Sequence, residues 1–349
     1  MVSVTQLYVG LDYHQDSVQV CILNESGEQL VNRRVANDRT AIASCVPASL
    51  GVIRSVAIEA CSGAANLAHE LRKLSDWPVD LAHPGYVARI KQSPDKTDFS
   101  DARLLADLCR VGYLPKVWLA PQELRELKSL VRFRQQQVAD RRRCKQRIRA
   151  VLREQRLKGP EGINPWTLNW KTWVLTEAAF STAGRWIVEK HFEQLTELER
   201  QVCDTEKELR KWVERDPVMQ TMCDMRGIGL VTAVTLRAEI GDVRRFQTGK
   251  QLSRFCGLSP RNASSGKRQA DAGLIKAGNR ELRSTLIETG QRLMWDLDGP
   301  WAERAAKLKE QGKPHNVIVA AIANRWVRWL YHRIMEIPES NSQFTQVAA

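Results

Sequence analysis

In the pattern of apolar and polar positions, residues 5–85 read as strands with one or two helices among them, and helical spacing dominates afterwards. QLYVGLD and SVQVCILN are β-rich runs separated by the polar YHQD, the pattern of a hairpin. QLVNRRVAN gives a third short strand. SVAIEA, residues 55–60, gives a fourth of the buried type with few polar positions. NLAHELRKLS carries helical spacing, PVDLAHPG is a fifth strand closed by Pro-Gly, and another helix starts within DKTDFSDARLLADL, residues 95–108. Strands, helix, strand, helix is an α/β order.

Pro115 and VWLAP mark a boundary. From Gln122 to Lys158 there is no Gly or Pro, and Leu124, Leu127, Val131 and Val138 recur at heptad-like spacing, which predicts a long helix. A Trp-rich patch follows, and a second long helix is expected at about 185–214, with Leu195, Leu198 and Leu209 among alternating charges. The two long helices read as arms of an antiparallel coiled coil or as a dimer seam. From Val218 on the pattern is mostly helical. The expected organisation is therefore an α/β domain at 1–120, a basic helical coiled-coil region at 121–217 and a mostly α-helical domain at 218–349.

Charge changes this picture more than overall composition does. The 349 residues hold 43% hydrophobic and 27% charged residues, ordinary for a folded soluble chain. The excess of 53 Lys+Arg over 40 Asp+Glu points toward a polyanionic partner. The first predicted long helix, 122–158, holds thirteen basic residues against four acidic ones, and so carries most of that excess. Arg141, Arg142, Arg143, Lys145 and Arg149 are its candidate nucleic-acid contacts. Eight cysteines show no C-x-x-C pair and no clustered His, which argues against a zinc site or a disulfide framework and fits a reducing cytosol. The N-terminal residues lack a signal-peptide pattern, and NVIVAAIANRWVRWL is interrupted by Arg325 and Arg328 and too short to span a bilayer. The expectation is a cytoplasmic protein with no membrane partner.

Against this basic background, three aspartates at three-residue steps need a reason: Asp95, Asp98 and Asp101. On a helix, Asp98 and Asp101 share a face, where two carboxylates repel. They are tolerated in water at a helix N-terminus, where the dipole favours negative charge, or around a cation. Asp12 ends the first strand and Glu59 stands near the end of the fourth, each after apolar β residues. Acids on the first strand, the fourth strand and a later helix form the arrangement a ribonuclease-H-like fold uses to bind Mg²⁺ through oxygen ligands. Two such ions would stabilise the attacking and leaving oxygens of phosphodiester cleavage. Asp95 and Asp107 read as helix-start and surface acids.

Two later stretches carry phosphate-binding chemistry. In RGIGLVTA, Gly227 and Gly229 before an apolar helix resemble a helix-hairpin-helix element, which aims backbone N–H groups at a DNA phosphate. An ordinary turn between core helices fits the same residues. GLSPRNASSGKRQADAGLIKAGNRELRSTL, 257–286, places Lys267, Arg268, Lys276, Arg280 and Arg283 among glycines. Its Gly266-Lys267 is no phosphate-binding P-loop, because Arg268 replaces the required Ser/Thr. Ser264 or Ser265 could serve as a nucleophile there if deprotonated beside neutralised phosphate. Local chemistry alone also allows a plain turn.

VGLDYHQDSVQVCIL, AIEACSG and KTDFSDARLLA, together with RGIGLVTAVTLRAEIG and GLSPRNASSGKRQADAGLIKAGNRELR, resemble the insertion sequence 110 family of transposases, including its 1111-type branch. The resemblance covers nearly the whole chain. It implies a RuvC-like domain whose four acids fall on Asp12, Glu59, Asp98 and Asp101, binding Mg²⁺ or Mn²⁺, and a C-terminal transposase domain. The family's serine falls on Ser264, with Ser265 the alternative; many relatives have a second Gly where this chain has Lys267. It further implies a covalent phosphoserine intermediate, donor and target DNA as substrates, a noncoding guide RNA made by the element, and a homodimer or homotetramer with composite sites. Other readings are a RuvC-type endonuclease hydrolysing junctions with water, an architectural nucleic-acid-binding protein and an actin-like ATPase. The last is disfavoured because Tyr-His-Gln follows Asp12 where small residues would approach phosphate.

Overall fold

The computed structural model describes residues 5–91, 97–262, 271–275, 278–296 and 299–337. They divide into two compact units, Met1–Gln122 and Glu123–Ala349.

The first unit is built on β1 (Gln6–Tyr13), β2 (Ser17–Leu23) and β3 (Gln29–Ala36), followed by α1 (Arg39–Ala43), β4 (Val52–Glu59), α2 (Ala64–Ser75), β5 (Val79–Ala82), α3 (Pro84–Ile90), α4 (Asp98–Arg110) and β6 (Lys116–Val117). The sheet order is β3-β2-β1-β4-β5-β6. β1 pairs antiparallel with β2 and parallel with β4, and β4 pairs parallel with β5.

Strand periodicity of two sorts the side chains onto two faces. Leu7, Val9 and Leu11 of β1 and Val56 and Ile58 of β4 are fully buried in a core with Ile42, Leu67 and Leu71 from α1 and α2. The alternate positions, Tyr8, Gly10 and Asp12 of β1 and Ser55, Ala57 and Glu59 of β4, therefore face the side of α3 and α4. There Ala57 and Ala82 pack with Val87, Leu105 and Leu108, while Cys21 and Leu23 pack with Ala102 and Ala106. The chain thus sandwiches a mixed sheet between helices, an α/β unit.

Gly10 sets how close α4 lies. A Cβ at this position would stand 2.0 Å from the Ala102 carbonyl oxygen and 2.5 Å from the Ala106 nitrogen. Only a residue without a side chain lets the helix backbone rest on β1. The start of α4 is equally defined: the Thr97 side chain accepts from Ser100 N, and the Ser100 side chain accepts from Thr97 N, a capping box.

The second unit is mostly helical. It comprises α5 (Gln122–Glu154), α6 (Leu168–Thr176), α7 (Thr182–Arg215), α8 (Pro217–Cys223), α9 (Leu230–Ile240), α10 (Gly249–Phe255), the short antiparallel strands β7 (Pro260–Asn262) and β8 (Asp271–Leu274), α11 (Arg280–Met294), α12 (Pro300–Glu310) and α13 (His315–Met335). Arg134 of α5 meets Glu206 of α7 at 2.6 Å, the Cys144 thiol donates to the His191 carbonyl, and Gln155 donates to Ser181. Residue numbers rise along α5 as they fall along α7, so the two helices run antiparallel. One end of this pair buries Cys144, Ile148 and Leu152 against Trp170, Val188, Phe192 and Leu195. The other end feeds Leu124, Leu127, Val131 and Leu209 into a core shared with α8 to α13. α9 is buried from Thr232 to Ile240, its charged Arg237 and Glu239 included. Among the described residues no helix is long and apolar enough to cross a membrane.

Candidate active site

Parallel pairing of Leu11 with Ile58 places the next residues, Asp12 and Glu59, side by side at the ends of β1 and β4. Both lie on the face that α4 covers, and α4 begins with Asp98 and Asp101 in its first turn. The close approach at Gly10 brings that first turn to the strand ends. Asp12, His14, Glu59, Lys91, Asp98 and Asp101 consequently line one cleft of about 420 Å³. The four acids expected from the sequence share this cleft.

His14, in the β1–β2 turn, stands between two of them. Its Nε2 lies 3.3 Å from Asp12 Oδ2 and 3.3 Å from Asp98 Oδ1. One candidate ligand atom each from Asp12, His14 and Asp98 lie within 4.8 Å of one another. Asp101 forms an ion pair with Lys91, both side chains being mostly buried. Burial pushes the Asp12 carboxyl above the ordinary carboxylate range, and the negative charges of Asp98 and Asp101 push it further, against the opposing pull of His14. Burial also raises the Cys61 thiol, with Glu59 and Asp12 adding to the shift, so Cys61 stays protonated beside the acids. A site that concentrates negative charge in a partly desolvated cleft is suited to a divalent cation held by oxygen atoms.

Ser264 and Ser265 lie outside the described residues, as do Lys267, Arg268 and Lys276. Gly227 adopts φ +83°, a conformation that favours glycine, and Gly229 is the N-cap of α9 with no side-chain cap. Both line a groove of about 530 Å³ together with Arg210, Thr232 and Arg292. Arg292 donates to the hydroxyls of Thr232 and Thr289 at 3.0 Å each. On α5, Arg142 and Arg149 are exposed and Arg141 is half-buried. Arg143 pairs with Asp140, and Lys145 and Arg149 sit 4.9 and 5.4 Å from the ring of Trp166. Arg280 is exposed at the start of α11, whereas Arg283 donates to the Ile275 carbonyl and packs against Gly257.

Sequence reasoning passed over His14 and Lys91. YHQD reads as a hairpin turn, and nothing in its local pattern says that the turn folds back over a helix start 84 residues later. Lys91 follows a short helix that has no strong periodicity of its own.

Comparison with known proteins covers both units. A family model for DEDD transposases of the IS110 type matches residues 9–156, a stretch that includes all four acids. A second, described as transposase of the IS116/IS110/IS902 family, matches residues 219–306. The chain is similar to the transposase for insertion sequence element IS1111A of Coxiella burnetii, 28% identical over 91% of this chain and 86% of the relative. It is similar to a probable family 20 transposase of Pseudomonas aeruginosa, 29% identical over 79% and 82%. The transposase for insertion sequence element IS1328 of Yersinia enterocolitica is 24% identical over 92% and 94%.

Proposed function

Because the chain belongs to the insertion sequence 110 family of transposases, DNA-transferring enzymes, we propose that Asp12, Glu59, Asp98 and Asp101 form its metal-dependent DNA-cutting centre and that Ser264 is its nucleophile. The single observation that carries this reading is the convergence of the four carboxylates on one cleft. Oxygen donors from two strand ends and one helix turn fit a hard divalent ion, Mg²⁺ or Mn²⁺. When bound, such an ion would supply positive charge for the oxygens of a scissile phosphodiester.

The chain's own residues do the rest. Ser264 Oγ gives up its proton and attacks the phosphorus, forming a P–Oγ bond as the bond to one deoxyribose oxygen breaks; the released sugar oxygen takes up a proton, so none is gained or lost overall. Attack by a new strand's hydroxyl on the phosphoserine rejoins DNA and returns the serine. Keeping the phosphate bond energy in the serine ester lets strands be exchanged without another energy source. Ser265 is the alternative nucleophile.

The strand order β3-β2-β1-β4-β5, with its two antiparallel and two parallel pairings, supports a ribonuclease-H-like (RuvC-like) domain over 1–120. α5 and α7 form a basic coiled-coil region over 121–217, and 218–349 is the transposase domain with a helix-hairpin-helix-like element at Gly227 and Gly229. Arg141, Arg142, Arg143, Lys145 and Arg149 contact nucleic-acid backbone, an interaction that weakens as salt rises. Lys267, Arg268, Lys276, Arg280 and Arg283 serve the same purpose around the serine. The target is chosen by a guide RNA encoded by the element, and the protein works as a homodimer or homotetramer in the bacterial cytoplasm, on the DNA of the nucleoid.

The test is a covalent protein–DNA adduct trapped with Mg²⁺ on element-end DNA and co-purified RNA. The adduct is expected to disappear in Ser264→Ala and in Asp98→Asn and to persist in Ser265→Ala. Strand cleavage surviving both serine changes would instead identify a hydrolytic endonuclease that uses water.

A further inference from the structure

The four acids explain a cation site, but they do not explain the imidazole placed among them. His14 Nε2 is equidistant, at 3.3 Å, from a carboxylate oxygen of Asp12 and one of Asp98. The ring is held there by a tight turn: His14 N donates to the Ser17 carbonyl at 2.9 Å, and the Asn37 side-chain amide donates to the carbonyls of His14 and Gln15 at 3.0 Å each. With its backbone fixed on both sides, the histidine presents its nitrogen to the same point the carboxylates face. Among the described residues, no other histidine lines the cleft.

We infer that His14 is itself a ligand of the cleft's divalent ion, making a mixed nitrogen–oxygen centre that prefers Mn²⁺ and later first-row divalent ions to Mg²⁺. This rests on the metal reading of the cleft proposed above. The physical reason is ligand softness. Mg²⁺ takes carboxylate, carbonyl and water oxygens, whereas imidazole nitrogen strengthens binding along the first-row series. Asp12 Oδ2, His14 Nε2 and Asp98 Oδ1 give two hard donors and one borderline donor. A neutral ring with its proton on Nδ1 directs the Nε2 lone pair into the cleft. The same nitrogen carrying a proton would instead make hydrogen bonds to both acids, a purely electrostatic bridge with no preference among metals.

The two roles separate in a pulsed electron-spin-resonance measurement on the full-length protein with Mn²⁺ alone. Wild type is expected to show ¹⁴N hyperfine coupling to the bound Mn²⁺, changing to the ¹⁵N pattern when histidine is ¹⁵N-labelled. In His14→Ala the coupling should vanish while Mn²⁺ stays bound. Mn²⁺ affinity should then fall at least about tenfold, the lower end of what even an outer-sphere partner costs, with a smaller change for Mg²⁺. Because the wild-type spectrum is diagnostic on its own, poor folding of the variant would not spare the inference. Bound Mn²⁺ without nitrogen coupling, or coupling that persists in His14→Ala, overturns the ligand role while leaving the acid centre in place. Failure of wild type to bind Mn²⁺, or binding indifferent to Asp12→Asn, overturns the metal reading and this inference with it.

Discussion

The two units use buried acids in opposite ways. In the helical unit, Asp216 is completely buried, yet its carboxylate is fully matched. One oxygen takes Arg237 Nε at 2.6 Å, and the other caps α8 by accepting from Val218 N and Met219 N. Glu239 is matched in the same manner by Lys128 at 2.6 Å and Arg132 at 3.7 Å. In the α/β unit, Asp12 instead faces two further aspartates, and its carboxyl is driven above the ordinary range by burial and by their charge. Acids matched one-to-one by cations and N–H groups hold an architecture together, whereas acids made to face each other are what the proposed metal centre requires.

This contrast can be broken by substitution. The largest effect is expected at Asp216→Ala, which strands the Arg237 charge in the core and uncaps α8. Urea unfolding should show a loss of about 3–5 kcal/mol. A change under about 1 kcal/mol would mean that the pair is idle.

Asp98→Asn should do the reverse. Strand cleavage is expected to fall by at least about 10²-fold, the scale of losing one charge-stabilising group in a catalytic site. Its unfolding midpoint should not drop, because a repulsion is removed. Destabilisation comparable to Asp216→Ala would place Asp98 among the architectural acids.

Between these extremes lies Gly10→Ala, which puts a methyl group into the α4 backbone and should cost about 1–3 kcal/mol as an overpacked contact. Because it lifts the helix turn bearing Asp98 and Asp101 from the strand ends, cleavage should fall further than the stability loss accounts for. Cleavage that tracks the folded fraction alone would argue that the spacing is not critical.

The smallest effect is one of pH. The native Asp12 carboxyl keeps its proton to higher pH than it does in the unfolded chain, so ionising it costs native stability. Wild type and Asp12→Asn should be equally stable below the ordinary carboxylate range. As pH rises through and just above that range, wild type should lose stability relative to the variant. A difference that shrank with rising pH would reverse the assigned sign.

Much of this contrast was legible in the sequence, for local reasons. Asp12 and Glu59 end apolar β runs, and Asp98 and Asp101 stand three apart at a helix start, so residue type and spacing were enough to group them. The two long helices announced themselves by the absence of Gly and Pro, and α7 was misplaced by only a few residues, Ser181 capping it ahead of the expected start. His14 and Lys91 were not legible, because each reaches the acids through a turn or short helix whose direction depends on tertiary packing. The role of Gly10 appears only in the fold, where the α4 backbone rests on it. The matched pair Asp216–Arg237 spans 21 residues and a helix junction, beyond any local pattern. The expected nucleophile region, with Ser264 and Ser265, lies outside the described residues.

The most direct test of the acid centre is crystallographic: anomalous diffraction from crystals of the wild-type protein grown with Mn²⁺. The account predicts an anomalous peak in the cleft within ligand distance of Asp12 and Asp98. No peak there, or Asp12, Glu59, Asp98 and Asp101 turned toward separate surroundings around bound Mn²⁺ elsewhere, would contradict it.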